Sequence, residues 1–254
     1  MSRGGPDLGS ISAAQSDYFQ STRGGGHGDY RTIVLAPSSV QELADFTYRA
    51  FELSDKYLVP VIILGDGMIG QMMEPVEFNY EAPEILPVRE RCLRGASGRP
   101  SRIFKTFTSN PAELEEINWS LYRRYQLIEK QEPSAENYMT GDAKLTIVAF
   151  GIAARIAKGA IKTARASGMK VGLFRPITLW PFPSKKLQDL AKTTHHFLDF
   201  EMNMGQMIDD VHLALGDKAK VDFYGRPGGV IATPSEVLRV ITRLYHQNGL
   251  DIKK

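Results

Sequence analysis

Apolar residues fall along this chain in two rhythms, short continuous runs and longer stretches at helical spacing, and the two alternate over much of its length. Thr32-Ile33-Val34-Leu35-Ala36 is a short apolar run ended by Pro37, the pattern of a buried strand. Ser38 or Ser39 then offers a helix cap with Glu42 in the first turn, and Leu43, Phe46, Ala50 and Leu53 recur at helical spacing between Val40 and Tyr57. Val59-Pro60 ends that helix. Val61-Ile62-Ile63-Leu64 reads as a second buried strand, closed by Gly65-Asp66-Gly67. Together these make a β-α-β unit, expected to be parallel.

Residues 71–140 break the rhythm. Pro75, Pro83, Pro87, Pro100, Pro111 and Pro133 interrupt them, and Ala112 to Lys130 is the one helical stretch; the segment reads as a linker. Regular alternation returns at Leu145. Strands are predicted at 145–150, 171–174, 196–200 and 220–224, and helices at 152–167, 184–192, 204–215 and from Thr233, whose Pro234 and Glu236 mark a helix start. Strands and helices in this order predict an α/β fold with a doubly wound parallel sheet over 141–254. Function in such sheets sits in loops at the carboxyl ends of strands, which here start at Gly151, Arg175, Glu201 and Gly225. Residues 1–30, rich in Gly, Ser and Gln, read as loop with a helical turn near Ala13-Ala14-Gln15.

Composition narrows the partners more than the fold. The 254 residues suffice for one large or two small domains. Thirty-one basic residues face twenty-nine acidic ones, a net charge of +2 that gives no reason to expect nucleic acid or an anionic membrane as partner. No apolar run approaches the roughly 20 residues that span a bilayer. The one cysteine, Cys92, cannot build an internal disulfide, a four-cysteine iron–sulfur site or a structural zinc site, which suits a reducing cytoplasm. Any clusters used in electron transfer belong to another chain. Met1-Ser2-Arg3-Gly4-Gly5-Pro6 has no signal-peptide h-region, and as a loop without a preceding strand it suggests a chain that opens in the middle of a fold.

Five segments invite a chemical reading. Gly24-Gly25-Gly26-His27-Gly28-Asp29 combines glycines that admit a ligand close to the backbone with a histidine able to bind a phosphate, a carboxylate or a metal, or to move protons; a plain surface loop has the same residues. Arg3, before Gly4-Gly5-Pro6, offers a bidentate partner for a carboxylate or phosphate, against the plainer reading of a solvated terminal side chain. Glu201-Met202-Asn203-Met204-Gly205-Gln206 sits where a strand gives way to a helix: Asn203, Gln206 and backbone N–H groups are donors for an anion that Glu201 would repel, or the segment is a cap or a subunit contact. His195-His196 are adjacent on a strand and so point to opposite faces, which argues against a shared metal. Gly151 resembles the opening of a nucleotide site but has no further glycine after it.

Taken in order, Arg3-Gly4-Gly5-Pro6, Gln15-Ser16-Asp17, Thr22 to Arg31 and Val34-Leu35-Ala36-Pro37 resemble the α subunit of 2-oxoacid:ferredoxin oxidoreductases, and the glycine–histidine block looks most like the branched-chain type that acts on 2-oxoisovalerate. Glu201 to Gln206 and Arg226-Pro227-Gly228-Gly229 resemble that subunit's second domain, which is similar to the transketolase C-terminal domain. The resemblance implies a partial pyrimidine-binding (thiamine-type) domain over 1–70, the linker over 71–140 and the second domain over 141–254. It implies oxidative decarboxylation of a 2-oxoacid on thiamine diphosphate, with ferredoxin reduced and coenzyme A acylated. A β subunit would bind the cofactor and its magnesium, and ferredoxin-like γ and δ subunits the iron–sulfur clusters. Arg3, Gly4, Gly5, Gly26, His27, Gly28 and Asp29 would lie near cofactor and substrate; Glu201, Asn203, Gly205 and Gln206 would be structural or contact residues. The glutamate that activates the aminopyrimidine belongs to a part of the family's first domain that lies before Met1. Asp7 to Ile11 also departs from the Thr-Gly-x-Pro-Thr pattern of many relatives. A non-catalytic subunit, or a thiamine enzyme without ferredoxin, are the alternatives.

Overall fold

The computed structural model describes residues 1–80, 93, 95–101, 103 and 107–250; Cys92, Pro83 and Pro87 lie outside them. Two sheets form. In the first, β1 (Ile33–Leu35) lies between β2 (Val61–Ile63), parallel to it, and β6 (Thr178–Trp180), antiparallel. In the second, the order is β3 (Ala135–Tyr138), β5 (Val171–Pro176), β4 (Leu145–Val148), β7 (His196–Glu201) and β8 (Lys220–Gly225). All its pairs are parallel except β3–β5.

Helix α2 (Val40–Tyr57) links β1 to β2, with the Ser39 side chain accepting from the Glu42 N–H as its cap. Side chains of the second sheet divide by face, as the strand period requires. Leu145, Ile147, Leu198 and Phe200 meet α5 (Gly151–Ala166) and α8 (Pro234–Gln247). Val148, Phe174 and Phe197 share a core with α6 (Ser184–Leu190), α7 (Met207–Leu215) and the first sheet's Ile33 and Leu35. Helices on both faces of a mostly parallel sheet are the doubly wound arrangement.

Four differences from the sequence-based expectations have local causes. Ala13 to Gln15 do not form a helical turn, because the Gln15 backbone is bonded to Met202 and Asn203; the first helix, α1, is Tyr18–Thr22. The helix expected from Met204 starts at Met207. β3 and β6, both unforeseen, come from the linker and from a three-residue run beside Pro181. β6 matters most: it leaves the second part of the chain to extend the first sheet, pairing Thr178 with Leu35 and Trp180 with Val34. The first sheet is thus covered on the β1 side, while β2 remains an edge with half-buried residues. Short α3 (Gly67–Gln71) follows β2, and α4 (Pro111–Gln131) starts at an Asn110 cap.

A buried guanidinium also joins the two sheets. Arg175, at the end of β5 and 3% exposed in its side chain, donates to Glu42 of α2 at 2.7 and 2.9 Å and to Glu136 of β3 at 2.7 Å. Glu42→Ala leaves this cation with one carboxylate partner and should destabilise the fold by about 1–3 kcal/mol. Denaturant unfolding of the purified protein measures this, with Glu42→Gln losing less.

Candidate functional site

In a doubly wound sheet the ligand crevice lies outside the strand ends where the strand order reverses. Here β4 leads outward to β5, and the chain then returns to place β7 on the other side of β4, so the reversal falls between β4 and β7. That crevice is filled by the chain's own N-terminal part. Gln15, 1% exposed, donates through Nε2 to the Phe150 carbonyl after β4 (2.8 Å) and accepts at Oε1 from the Met202 N–H after β7 (3.1 Å). Its backbone N–H reaches the Met202 carbonyl (3.0 Å), and its carbonyl accepts from Asn203 Nδ2 (2.9 Å).

Asp66, after β2, completes the plug. Oδ1 accepts from the Met68 and Ile69 N–H groups and caps α3, while Oδ2 accepts from the Ile152 N–H in the first turn of α5 (2.9 Å). A helix N-terminus at a strand end is where an anionic ligand ordinarily sits; here it is met by a side chain from another sheet. Burial raises the Asp66 pKa against the pull of these three N–H groups. Gly151 has φ +53, and a Cβ there would stand 2.8 Å from Gln15 Nε2 and 3.0 Å from Asp66 Oδ2. Its glycine serves this close approach within the chain, so the nucleotide-site resemblance at Gly151 has a structural explanation.

The next helix repeats the arrangement. Glu201, at the end of β7, accepts from the Gln206, Met207 and Ile208 N–H groups at 2.9–3.1 Å and from Asn203 Nδ2 at 2.8 Å. The anion at the α7 N-terminus is therefore Glu201 itself, and not a ligand held by Asn203 and Gln206. Gln206 instead donates to the Ser16 carbonyl (2.8 Å) and accepts from the Phe19 N–H (2.9 Å), capping α1. Gly205 has φ +98 and donates to Asn203 Oδ1 (2.7 Å). Farther along, Tyr18 is fully buried against Phe150 and donates to Asp210, which also pairs with Arg23 at 2.9 Å.

The two glycine loops lie outside this frame. Arg3 is exposed, its guanidinium donating to the Leu8 carbonyl and to the Ser10 carbonyl (3.2 Å). Gly4 is buried, and a Cβ there would lie 2.9 Å from the Gly228 carbonyl carbon. The loop thus packs on Gly228-Gly229 beyond β8, while Gly5 faces open space. In the second loop, the Tyr30 hydroxyl accepts from the Gly25 and Gly26 N–H groups at 2.9 and 2.8 Å. This pulls the turn closed and leaves His27, Gly28 and Asp29 exposed. Asp29 and Arg31 border a groove of about 540 Å³ along the Leu114, Trp119 and Tyr122 side of α4. His195 is exposed and His196 half-buried, at the start of β7, far along the strand from Glu201. Among the described residues no helix is long and apolar enough to cross a membrane.

Residues 1–139 match the family described as pyruvate flavodoxin/ferredoxin oxidoreductase, thiamine diphosphate-binding, and residues 143–237 match pyruvate:ferredoxin oxidoreductase core domain II. The chain is 45% identical over 97% of its length to the ketoisovalerate oxidoreductase subunit VorB of Methanothermobacter marburgensis, of which it covers 70%. It is 31% identical to the 2-oxoglutarate synthase subunit KorA of Methanothermobacter thermautotrophicus, covering 72% of that chain. Its fold matches the 2-oxoglutarate:ferredoxin oxidoreductase from Magnetococcus marinus with a TM-score of 0.73 at 23% identity, over 95% of this chain and 47% of that one. The chain belongs to the 2-oxoacid:ferredoxin oxidoreductase family, as the kind of subunit that carries the thiamine-type domain and core domain II.

Asp199, on β7, is fully buried; no N–H or O–H group of the described residues donates to it, and the carboxyl beside it is that of Glu201, to which its protonated form can donate. Burial first, and the neighbouring Glu201 carboxylate next, hold its pKa well above the usual carboxylate range. A raised folded-state value means that the stability contributed by the protonated form is complete below the unfolded value of about 3.9 and is lost as pH rises through the folded one. Wild type should therefore lose stability relative to Asp199→Asn as pH is raised, by up to about 1.4 kcal/mol per pH unit inside that window. Parallel denaturation curves across pH check this; equal slopes in the two proteins would exclude it.

Proposed function

We propose that this chain is the α subunit of a branched-chain 2-oxoacid:ferredoxin oxidoreductase, which oxidatively decarboxylates 2-oxoisovalerate, passes electrons to ferredoxin and transfers the acyl group to coenzyme A. The observation that carries the substrate is the 45% and 44% identity to two ketoisovalerate oxidoreductase subunits, against 28–32% to four 2-oxoglutarate synthase subunits. A β subunit would hold thiamine diphosphate and magnesium, and ferredoxin-like γ and δ subunits the iron–sulfur clusters. The cytoplasm is the proposed location. Residues 1–70 and 141–254 would be the two domains, with 71–140 joining them.

The described residues fit one side of thiamine diphosphate and not the whole of it. No group of three or more His, Cys, Asp or Glu able to hold the diphosphate's metal occurs among them. The exposed loops at 3–9 and 24–30 fit a wall over cofactor and substrate, presenting a guanidinium, an imidazole and glycine backbone. When bound between the subunits, the cofactor supplies the electron sink for decarboxylation. Arg3 would turn from the Leu8 and Ser10 carbonyls to pair with the 2-oxoacid's carboxylate, a charge-assisted contact with a rigid two-pronged geometry. His27 would offer its imidazole N–H to cofactor or substrate from the second loop.

The test is anaerobic. The chain is purified with its partners, and 2-oxoacid- and coenzyme-A-dependent reduction of a viologen dye is measured. The 2-oxoisovalerate reaction should be the most efficient. Arg3→Ala should raise the KM for the 2-oxoacid at least tenfold, about the loss of one charge-assisted contact. His27→Ala should lower turnover with the melting temperature unchanged, and undiminished turnover removes His27 from the site. A complex with no 2-oxoacid-dependent dye reduction would overturn the proposal.

A further inference from the structure

We infer that Gln15 is a positioning residue for the substrate arginine, and that core domain II works as the fixed mount from which the Arg3 loop is aimed. The inference rests on the reading of Arg3 given above.

The loop has two stems, and each is tied to a different part of the frame. On the entry side, the Ser2 N–H donates to the Gly65 carbonyl (2.8 Å) and the Ser2 carbonyl accepts from the Gly67 N–H (3.0 Å), on either side of Asp66. On the exit side, Ala13 bridges back to Arg3 in antiparallel register, and Gln15 follows two residues later. All four hydrogen-bonding groups of Gln15 named above are engaged at the ends of β4 and β7. Across the loop the Gly4 N–H donates to the Ser12 carbonyl (3.0 Å), and the Ser10 N–H to the Gly4 carbonyl (2.8 Å). The outer face leaves no slack: a Cβ on Gly229 would stand 2.3 Å from Ser12 Cβ.

A shift of Gln15 is passed back along the chain through Ala14 and Ala13 to Arg3, while on its other side Ser16 is held by Gln206. Both alanines are buried, at 0% and 8% exposure, so the segment cannot relax into solvent without uncovering them. Asp66 shares the crevice, but its side chain also caps α3 and α5, so replacing it disturbs two helices at once. Gln15 caps no helix with its side chain, which makes it the cleaner probe.

The experiment compares steady-state kinetics of the assembled complex carrying wild type, Arg3→Ala, Gln15→Met and the double variant, with 2-oxoisovalerate and coenzyme A varied separately. Gln15→Met keeps the length of the side chain and removes its donor and acceptor. It should raise the 2-oxoacid KM about tenfold with the coenzyme A KM unmoved, since ångström-scale misplacement of a positioning group costs about that much or more. In the double variant the KM should equal that of Arg3→Ala alone, because Gln15 has nothing left to aim. If Gln15→Met does not assemble, Gln15→Glu, which keeps the acceptor for the Met202 N–H, carries the same comparison. Multiplicative effects in the double variant, or a Gln15 variant with unchanged KM, overturn the inference while leaving Arg3 in the site. An Arg3→Ala complex with unchanged KM overturns the Arg3 reading, and this inference with it.

Discussion

The structure depends on one constraint: the crevice that a doubly wound sheet leaves at its strand reversal must be filled. A buried helix N-terminus has N–H groups that need acceptors, and the strand ends beside it leave carbonyls and N–H groups that need partners. In this chain Gln15 and Asp66 supply them from the N-terminal part. The two parts of the chain are thereby joined by directed bonds as well as by a shared apolar core, and β6 adds backbone pairing between them.

The same logic places the charges. Two helices of core domain II, α5 and α7, begin against carboxylates of this chain, Asp66 and Glu201. Each supplies the negative charge that an anionic ligand would otherwise bring. The strand ends are thereby closed, and Arg3 and His27, which the proposed function places at cofactor and substrate, are exposed on loops mounted on rigid elements. Arg23 and Tyr18 on Asp210, and Gln206 on α1, tie the second loop's base to α7 much as Gln15 ties the first.

The regular elements were legible because their signals are local. α2 runs over Val40–Tyr57 as its apolar spacing indicates, and the four parallel strands of the second sheet sit on their apolar runs. β6 was not legible: three residues beside a proline look like a turn, and only the distant β1 makes them a strand. Gln15 was legible as part of a resemblance but not as a plug, since its partners lie 135 and 187 positions away and are backbone groups with no side-chain signature. Asp66 did carry a signal, an aspartate just after a strand and two residues before Met68, but the glycines at 67 and 70 masked the short helix it caps. Asp199, inside an apolar strand, lies beside the Glu201 carboxyl, a pairing that the strand pattern does not announce.

The central claim is that the crevice is closed by the chain itself and not by a ligand. Native-state hydrogen exchange at the Ile152 and Met202 amides tests this most directly, because Asp66 and Gln15 accept from them. In the protein free of thiamine diphosphate, 2-oxoacid and coenzyme A, both amides should exchange only through global opening, as slowly as the core of β4, and added ligands should leave their protection unchanged. Fast exchange in the free protein that slows only when a ligand is added would mean that the crevice is a binding site, and would contradict the account.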